Sequence, residues 1–243
     1  MERTTLLRCW MLTLMLTASS PAAAQTIQLG YDLRHSVDPR NNDRDFVTAS
    51  FEAFESLSYG SVLLKVDADL SGRDGNLGKL YAQLSHDFRF WKPPVSLHLE
   101  YSGGLGFVGE TETAFHITNT YSIGVAHPFR LLGSWASTFV AYRFTNFDRP
   151  SHDPIYSFWW GRDLGDQVSV TAYLVLWTIN RNHGDEWTAG LSGKKLSGLA
   201  EPQIWFNLNS FLAVGSEVRL YYQVFDYAER MQVYPTVALR CRF

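Results

Sequence analysis

The feature that most constrains this chain is an apolar–polar alternation with a period of two. In the closing stretch "MQVYPTVALRCRF", one set of positions reads Val233, Pro235, Val237, Leu239, Cys241 and Phe243. The other reads Tyr234, Thr236, Ala238, Arg240 and Arg242. Successive side chains of a strand point to opposite faces, so this pattern predicts a strand with two unlike faces. The pattern recurs in twelve segments: Thr26–Arg34, Phe46–Ser56, Ser61–Leu70, Lys79–Phe90, Val95–Gly104, His116–Ala126, Trp135–Phe144, Ile155–Gly161, Gln167–Thr178, Ser197–Asn207, Phe211–Phe225 and Gln232–Phe243. No segment holds a helical period. No stretch of the mature chain supplies the roughly 18 uncharged apolar residues that a membrane-spanning helix needs. The expectation is an all-β chain without an internal domain boundary.

The N-terminus reads as an export leader. Arg3 and Arg8 precede an apolar run from Cys9 to Ala18, and Ala22-Ala23-Ala24 follows as a small-residue cleavage site. The run is too short for a membrane anchor. Cys9 precedes the run, where a lipoprotein signal would place a Cys after it. Residues 1–24 are therefore expected to be a signal peptide cleaved after Ala24, and residues 25–243 the mature unit. Cleavage removes Cys9 and leaves Cys241 alone, so no intramolecular disulfide and no paired-Cys metal site is expected. A net charge of −3 gives no nucleic-acid footprint.

The connections sort by parity. The odd ones are long and polar, as in "HSVDPRNNDR", "SGRDGN", "VGETETAF", "TNFDRPSHDP", "INRNHGDEWTAGLSGKK" and "DYAER". The even ones are mostly tight: "LSYG", "WKPP", "HPFRLLGS", "RDLGD" and "LNS". Short turns at one end and longer loops at the other belong to a transmembrane antiparallel β-barrel. Aromatics gather beside the short turns: Phe90-Trp91, Phe129, Trp135, Trp159-Trp160, Trp205-Phe206, Phe211 and Phe243. Such rings read as an interfacial girdle. The expected fold is thus a barrel of about 12 strands in which the last strand closes against the first, with periplasmic turns and external loops, in a bacterial outer membrane. Arg240 and Arg242 are expected to turn inward or sit at the rim, because a charge facing lipid at the midplane costs about 2–4 kcal/mol. Pro235 cannot donate a ladder bond and needs a rim or a bulge.

An even-stranded barrel ending in Phe resembles outer-membrane proteins of Gram-negative bacteria. The resemblance implies that Phe243 is part of the signal read by the barrel-assembly machinery. More narrowly, "SFEAFESLSYGSVLLKVDADL", "RFTNFD" and the closing strand resemble the Tsx-type nucleoside-specific channels. That family's barrel is twelve-stranded; this chain is shorter and its external loops are trimmed. The resemblance implies a channel through which nucleosides diffuse.

Parity then nominates the lumen. The candidates that line a solute path are Glu52, Lys65, Asp67, Tyr81, Arg89, His98, Glu100, Tyr173, Trp177, Glu201, Trp205, Glu217, Arg219 and Tyr221; Asp69, Asp87, Arg143 and Gln203 share the inward face. Aromatics mixed with both signs of charge suit a solute with a planar face and hydroxyls. Stacking on a ring contributes roughly 1–3 kcal/mol, and ribose hydroxyls meet carboxylates and Arg. Tyr81, Tyr173, Trp177, Trp205 and Tyr221 are the candidate platforms. The alternatives are a structural or receptor barrel whose charges pair and fill the lumen, or a lipid-modifying enzyme. For the enzyme, His98 and Glu100 share one face as base and acid, but no His is followed by Ser two positions later, the pattern of outer-membrane phospholipase, and no nucleophile is placed. The scattered His give no zinc spacing, so no metal or other cofactor is expected.

Overall fold

Each alternating segment becomes a strand, and the polarity of its two faces fixes which one turns inward. The computed structural model describes residues 23–92, 94–108, 113–224 and 231–243. Its strands are β1 (Ala23–Asp32), β2 (Phe46–Leu57), β3 (Gly60–Asp69), β4 (Lys79–Phe88), β5 (Ser96–Val108), β6 (Thr113–Leu131), β7 (Ser134–Thr145), β8 (Ser151–Leu164), β9 (Val168–Asn180), β10 (Lys194–Asn207), β11 (Leu212–Tyr222) and β12 (Met231–Arg242). One short helix, α1 (Arg34–Val37), follows β1. The strands form a closed antiparallel barrel in sequence order, with β12 returning to β1. The seam runs from Thr26 opposite Arg242 to Asp32 opposite Thr236. Closure leaves no unpaired edge, which is the condition for a sheet to lie in lipid.

The outward face is an apolar belt. Ile27, Leu29, Ile123, Val125, Val140, Val237 and Leu239 are all exposed on it. A contiguous belt of this kind is a lipid face, as in transmembrane barrels. No helix among the described residues is long and apolar enough to cross a membrane. Tyr31, Tyr101, Tyr121 and Tyr142 mark the belt's edge toward the loop end. Phe90, Trp91, Phe206, Phe211 and Phe243 mark the turn end, where the rings of Phe211 and Phe243 meet edge to face at 5.0 Å.

Arg240 and Arg242 turn inward. Arg240 lies over the Trp205 ring at 4.0 Å, and Arg242 Nη2 donates to Asn207 Oδ1 at 2.7 Å. Pro235 is tolerated because its missing donor faces β1 where that strand has ended. The ladder to β1 stops at Asp32–Thr236, and the Pro235 carbonyl accepts from the Leu33 amide at 2.9 Å.

Several expectations need correction. "HPFRLLGS" is not an open connection. β6 runs through it to Leu131 and reverses at Leu132 and Gly133, with φ of 52° and 77°. Two left-handed residues form the tight hairpin reversal that matches strand twist, and Leu132 conceals it because that position ordinarily calls for Asn or Asp. The end of "VGETETAF" is also strand, and β8 begins at Ser151 rather than Ile155. Trp159 and Trp205 do not join the girdle. They share the inward parity of Ser157 and Gln203. The expected leader up to residue 22, and Phe225, lie outside the described residues; β1 already includes Ala23 and Ala24, opposite Glu55 and Phe54.

Candidate functional site

Inward residues from eight neighbouring strands, β3 to β10, with β11 beside them, enclose a cavity of about 400 Å³ in the half of the lumen nearer the loops. Its walls carry Lys65 and Asp67 on β3, Lys79, Tyr81 and Gln83 on β4, Glu100 on β5, and Arg143 on β7. Ile155, Tyr173, Val175 and Trp177 follow on β8 and β9, then Lys195, Leu199 and Glu201 on β10, and Arg219 and Tyr221 on β11. Phe147, His183 and Asp185, from two connections at the loop end, edge the mouth. The mouth is tied by a backbone hydrogen bond from Arg149 to His183 O (2.8 Å) and by the Phe147–His183 stack at 4.1 Å. Burial holds the His183 imidazole below its ordinary pKa, against the pull of Asp185. Burial pushes the Asp185 carboxyl up, but hydrogen bonds from Thr188 outweigh it and leave the group below its ordinary value.

The floor is a chain of ion pairs. Lys65 Nζ lies 3.5 Å from Asp67 Oδ2 and 3.6 Å from Glu201 Oε2. Arg219 Nε lies 3.3 Å from Glu201 Oε1 and 2.6 Å from Glu217 Oε1. Gln203 and Gln28 donate to Glu217 Oε2 at 3.0 and 3.4 Å. β3 and β10 lie on opposite sides of the ring of strands, so the Lys65–Glu201 pair spans the lumen. Buried charges are tolerable because every member is paired; removing one partner of such a pair costs about 3–5 kcal/mol.

Below this floor the lumen is packed. Trp205 is 0 % exposed, set between Arg240 and the small residues Ala213 and Ala238. His98 Nδ1 donates to Asp87 Oδ1 at 2.7 Å, with Nε2 3.7 Å from Glu100 Oε2, and its ring stacks on Phe139 at 4.1 Å.

The structure thus brings Lys65, Asp67, Tyr81, Glu100, Tyr173, Trp177, Glu201, Arg219 and Tyr221 around one cavity. It places Glu52, His98 and Glu217 on the inward face but outside the cavity wall. Two expectations are corrected. Arg89 is exposed beyond the end of β4, its amide bonded to Tyr59 O, so it stands at the turn end and away from the cavity wall. Trp205 is a packed interior ring, closed to any solute. Lys79 and Lys195 also line the cavity and were not singled out from the sequence, although both carry the inward parity.

Arg143 is the most unusual wall residue. It is 8 % exposed, its Nη2 reaches Thr120 Oγ1 at 3.5 Å, and its guanidinium lies 5.3 Å from the centre of the Trp177 ring. Its Nη1 is buried with no hydrogen-bond partner.

Among solved structures, the chain is similar to a loop-deletion form of OmpT, an outer membrane protein of Vibrio cholerae, at 8% identity, covering 91% of this chain and 98% of that one with a TM-score of 0.45. It is similar to the translocator domain of the autotransporter NalP from Neisseria meningitidis at 6% identity, 99% and 95% coverage and a TM-score of 0.47. It is similar to an anion-selective porin from Comamonas acidovorans at 9% identity, 91% and 98% coverage and a TM-score of 0.42. No curated protein matches the sequence. A family model described as "Domain of unknown function (DUF5020)" matches residues 24–243. That match spans all twelve strands but the first residue of β1, and the chain belongs to the DUF5020 family.

Proposed function

We propose that this protein is an outer-membrane channel for small polar solutes, with nucleosides the leading candidates. The observation that carries the reading is the cavity itself. It holds about 400 Å³, within the range of small-molecule sites, and Tyr81, Tyr173, Trp177 and Tyr221 stand in its wall among carboxylates and cations. A closed barrel with an apolar belt suits the outer membrane, and the resemblance to Tsx-type channels points to the same solutes. Stacking at roughly 1–3 kcal/mol per base gives weak, releasable binding, which throughput requires. We read the protein as a non-enzyme. His98 is held at Nδ1 by Asp87 at 2.7 Å and stacks on Phe139 at 4.1 Å, which suits a residue that packs the lumen.

A second reading, a receptor or structural barrel without an open path, is favoured by one observation: the Lys65–Glu201 pair crosses the floor. Current through the refolded barrel in a planar bilayer decides between them. A channel conducts ions, and uridine at roughly tens of millimolar, about ten times a millimolar affinity, reduces the current, whereas a sugar of similar bulk does not. Tyr81→Ala weakens the block. Absence of ion current under either polarity leaves the receptor reading.

A further inference from the structure

We propose that Arg143 is an oxyanion reader, so that the cavity takes planar solutes bearing a carboxylate or a phosphate in preference to neutral ones. The inference rests on the cavity being a solute site, as argued above, and names the class of solute it selects.

A buried guanidinium ordinarily meets a carboxylate and spends its donors on it. The acid that faces Arg143 across the β7–β8 ladder is Asp153, and it is already engaged. Asp153 Oδ1 accepts from Thr178 Oγ1 at 2.7 Å and from Lys194 Nζ at 2.5 Å, and Oδ2 accepts from Ser151 Oγ at 2.5 Å. Glu100 lies two strands away on the same row, beyond Ser122, and is taken up by Gln83 Nε2 at 2.7 Å. Other cations of the wall have their acids: Lys65 has Asp67 and Glu201, Lys79 has Asp69 at 2.9 Å, and Arg219 has Glu201 and Glu217. Arg143 keeps one long contact to a hydroxyl and the face of an indole, and among the described residues no carboxylate pairs with it.

The chemistry that completes this site is specific. A guanidinium presents parallel N–H donors that match a carboxylate or a phosphate in a two-point contact, which an ammonium does not. Trp177 behind it holds the plane of the fork. Ile155, Val175 and Leu199 line the same cavity and offer an apolar surface to a ring attached to the oxyanion. A neutral solute leaves the guanidinium without a counter-charge; an oxyanion supplies it.

Calorimetric titration of the detergent-refolded barrel, its folding checked by heat-modifiable migration, tests this with two matched pairs. Uridine against uridine 5′-monophosphate is the phosphate arm, and benzamide against benzoate the carboxylate arm. The charged member is expected to bind about tenfold tighter in at least one pair, equivalent to about 1.4 kcal/mol, and the pair that shows it identifies the oxyanion. Arg143→Gln should bring the ratio to about one, and Arg143→Lys, which keeps the charge and loses the fork, should fall between. Equal affinities within both pairs, or a preference that survives in Arg143→Gln, overturn the inference while leaving the solute site standing. Failure of all four compounds to bind overturns the solute-site reading, and this one with it. Because the readout is binding, a barrel that binds but conducts nothing disproves only the channel.

Discussion

Trp205 shows how single residues decide which part of a barrel is filled. The indole is fully buried, its Nε1 donates to Gln203 Oε1 at 2.9 Å, and Arg240 covers one face. Room for it comes from the strand opposite, where Gly215 pairs with Trp205. A Cβ at Gly215 would lie 2.6 Å from the ring and 2.2 Å from Ile204 O, so a side chain there must displace the indole or the backbone. Gly215→Ala is therefore expected to destabilise the barrel by about 1–3 kcal/mol, the usual cost of overpacking. Urea unfolding of the refolded protein, followed by tryptophan emission, measures it. An unchanged midpoint would show that the indole is free to move. The inward parity of Trp205 was legible in the sequence, but its burial was not. A Trp beside a short turn fits a girdle equally well, and only the small partners Gly215, Ala213 and Ala238, from two other strands, make it a packing residue.

At the scale of elements, strands were legible because alternation is local, whereas their ends were not. Pro128 lies in β6 beyond the last residue that pairs with β5, and it still pairs with Ser137 of β7, so the strand continues through the proline. The hairpin at Leu132-Gly133 carries a left-handed Leu, which no turn preference would nominate. The connections at the loop end have their own chemistry. Residues 146–150 and 181–193 are joined by the Phe147–His183 stack and by the Arg149 amide on His183 O. The folded His183 pKa is depressed, chiefly by burial, so the unfolded loop binds more protons as pH falls below the ordinary imidazole value. The contact is therefore complete above that value and weakens as pH descends from it toward the folded pKa; Asp185 opposes the shift and Lys195 adds to it. Hydrogen exchange at the Arg149 amide should accelerate as pH descends below the ordinary imidazole value of about 6.5, after correction for the intrinsic pH dependence. His183→Phe, which keeps a ring on Phe147 and removes the titration, should abolish the acceleration. Equal acceleration in that variant would place the cause elsewhere.

At the scale of the whole molecule, the property that matters is where the stagger of twelve strands brings distant residues together. Parity alone assigns Lys65, Glu201 and Arg219 to the lumen. Their meeting across it depends on the accumulated register around the ring, which no local pattern encodes. The result is a barrel divided in two: a cavity open toward the loops, and a packed region near the turns, with ion pairs between them. In the channel proposed above, conduction depends on those pairs. The Lys65–Glu201 contact spans 3.6 Å and each partner has a second one, Lys65 with Asp67 and Glu201 with Arg219. Each can therefore leave the other without becoming an unpaired charge, and a bridge of this kind opens at far lower cost than a lone buried pair. Lys65→Met and Glu201→Gln should each raise single-channel conductance, because each removes the same obstruction. The double variant should exceed the larger single effect by little, since the two changes act on one interaction and are not additive. Salt gives an independent arm: screening weakens the bridge as the Debye length falls from about 10 Å at 0.1 M to 3 Å at 1 M. Wild-type conductance should therefore rise faster than the conductivity of the bath, and the double variant should follow the bath. Independent, additive increases would show that Lys65 and Glu201 act at separate points of the path and that the bridge across the floor does not control it.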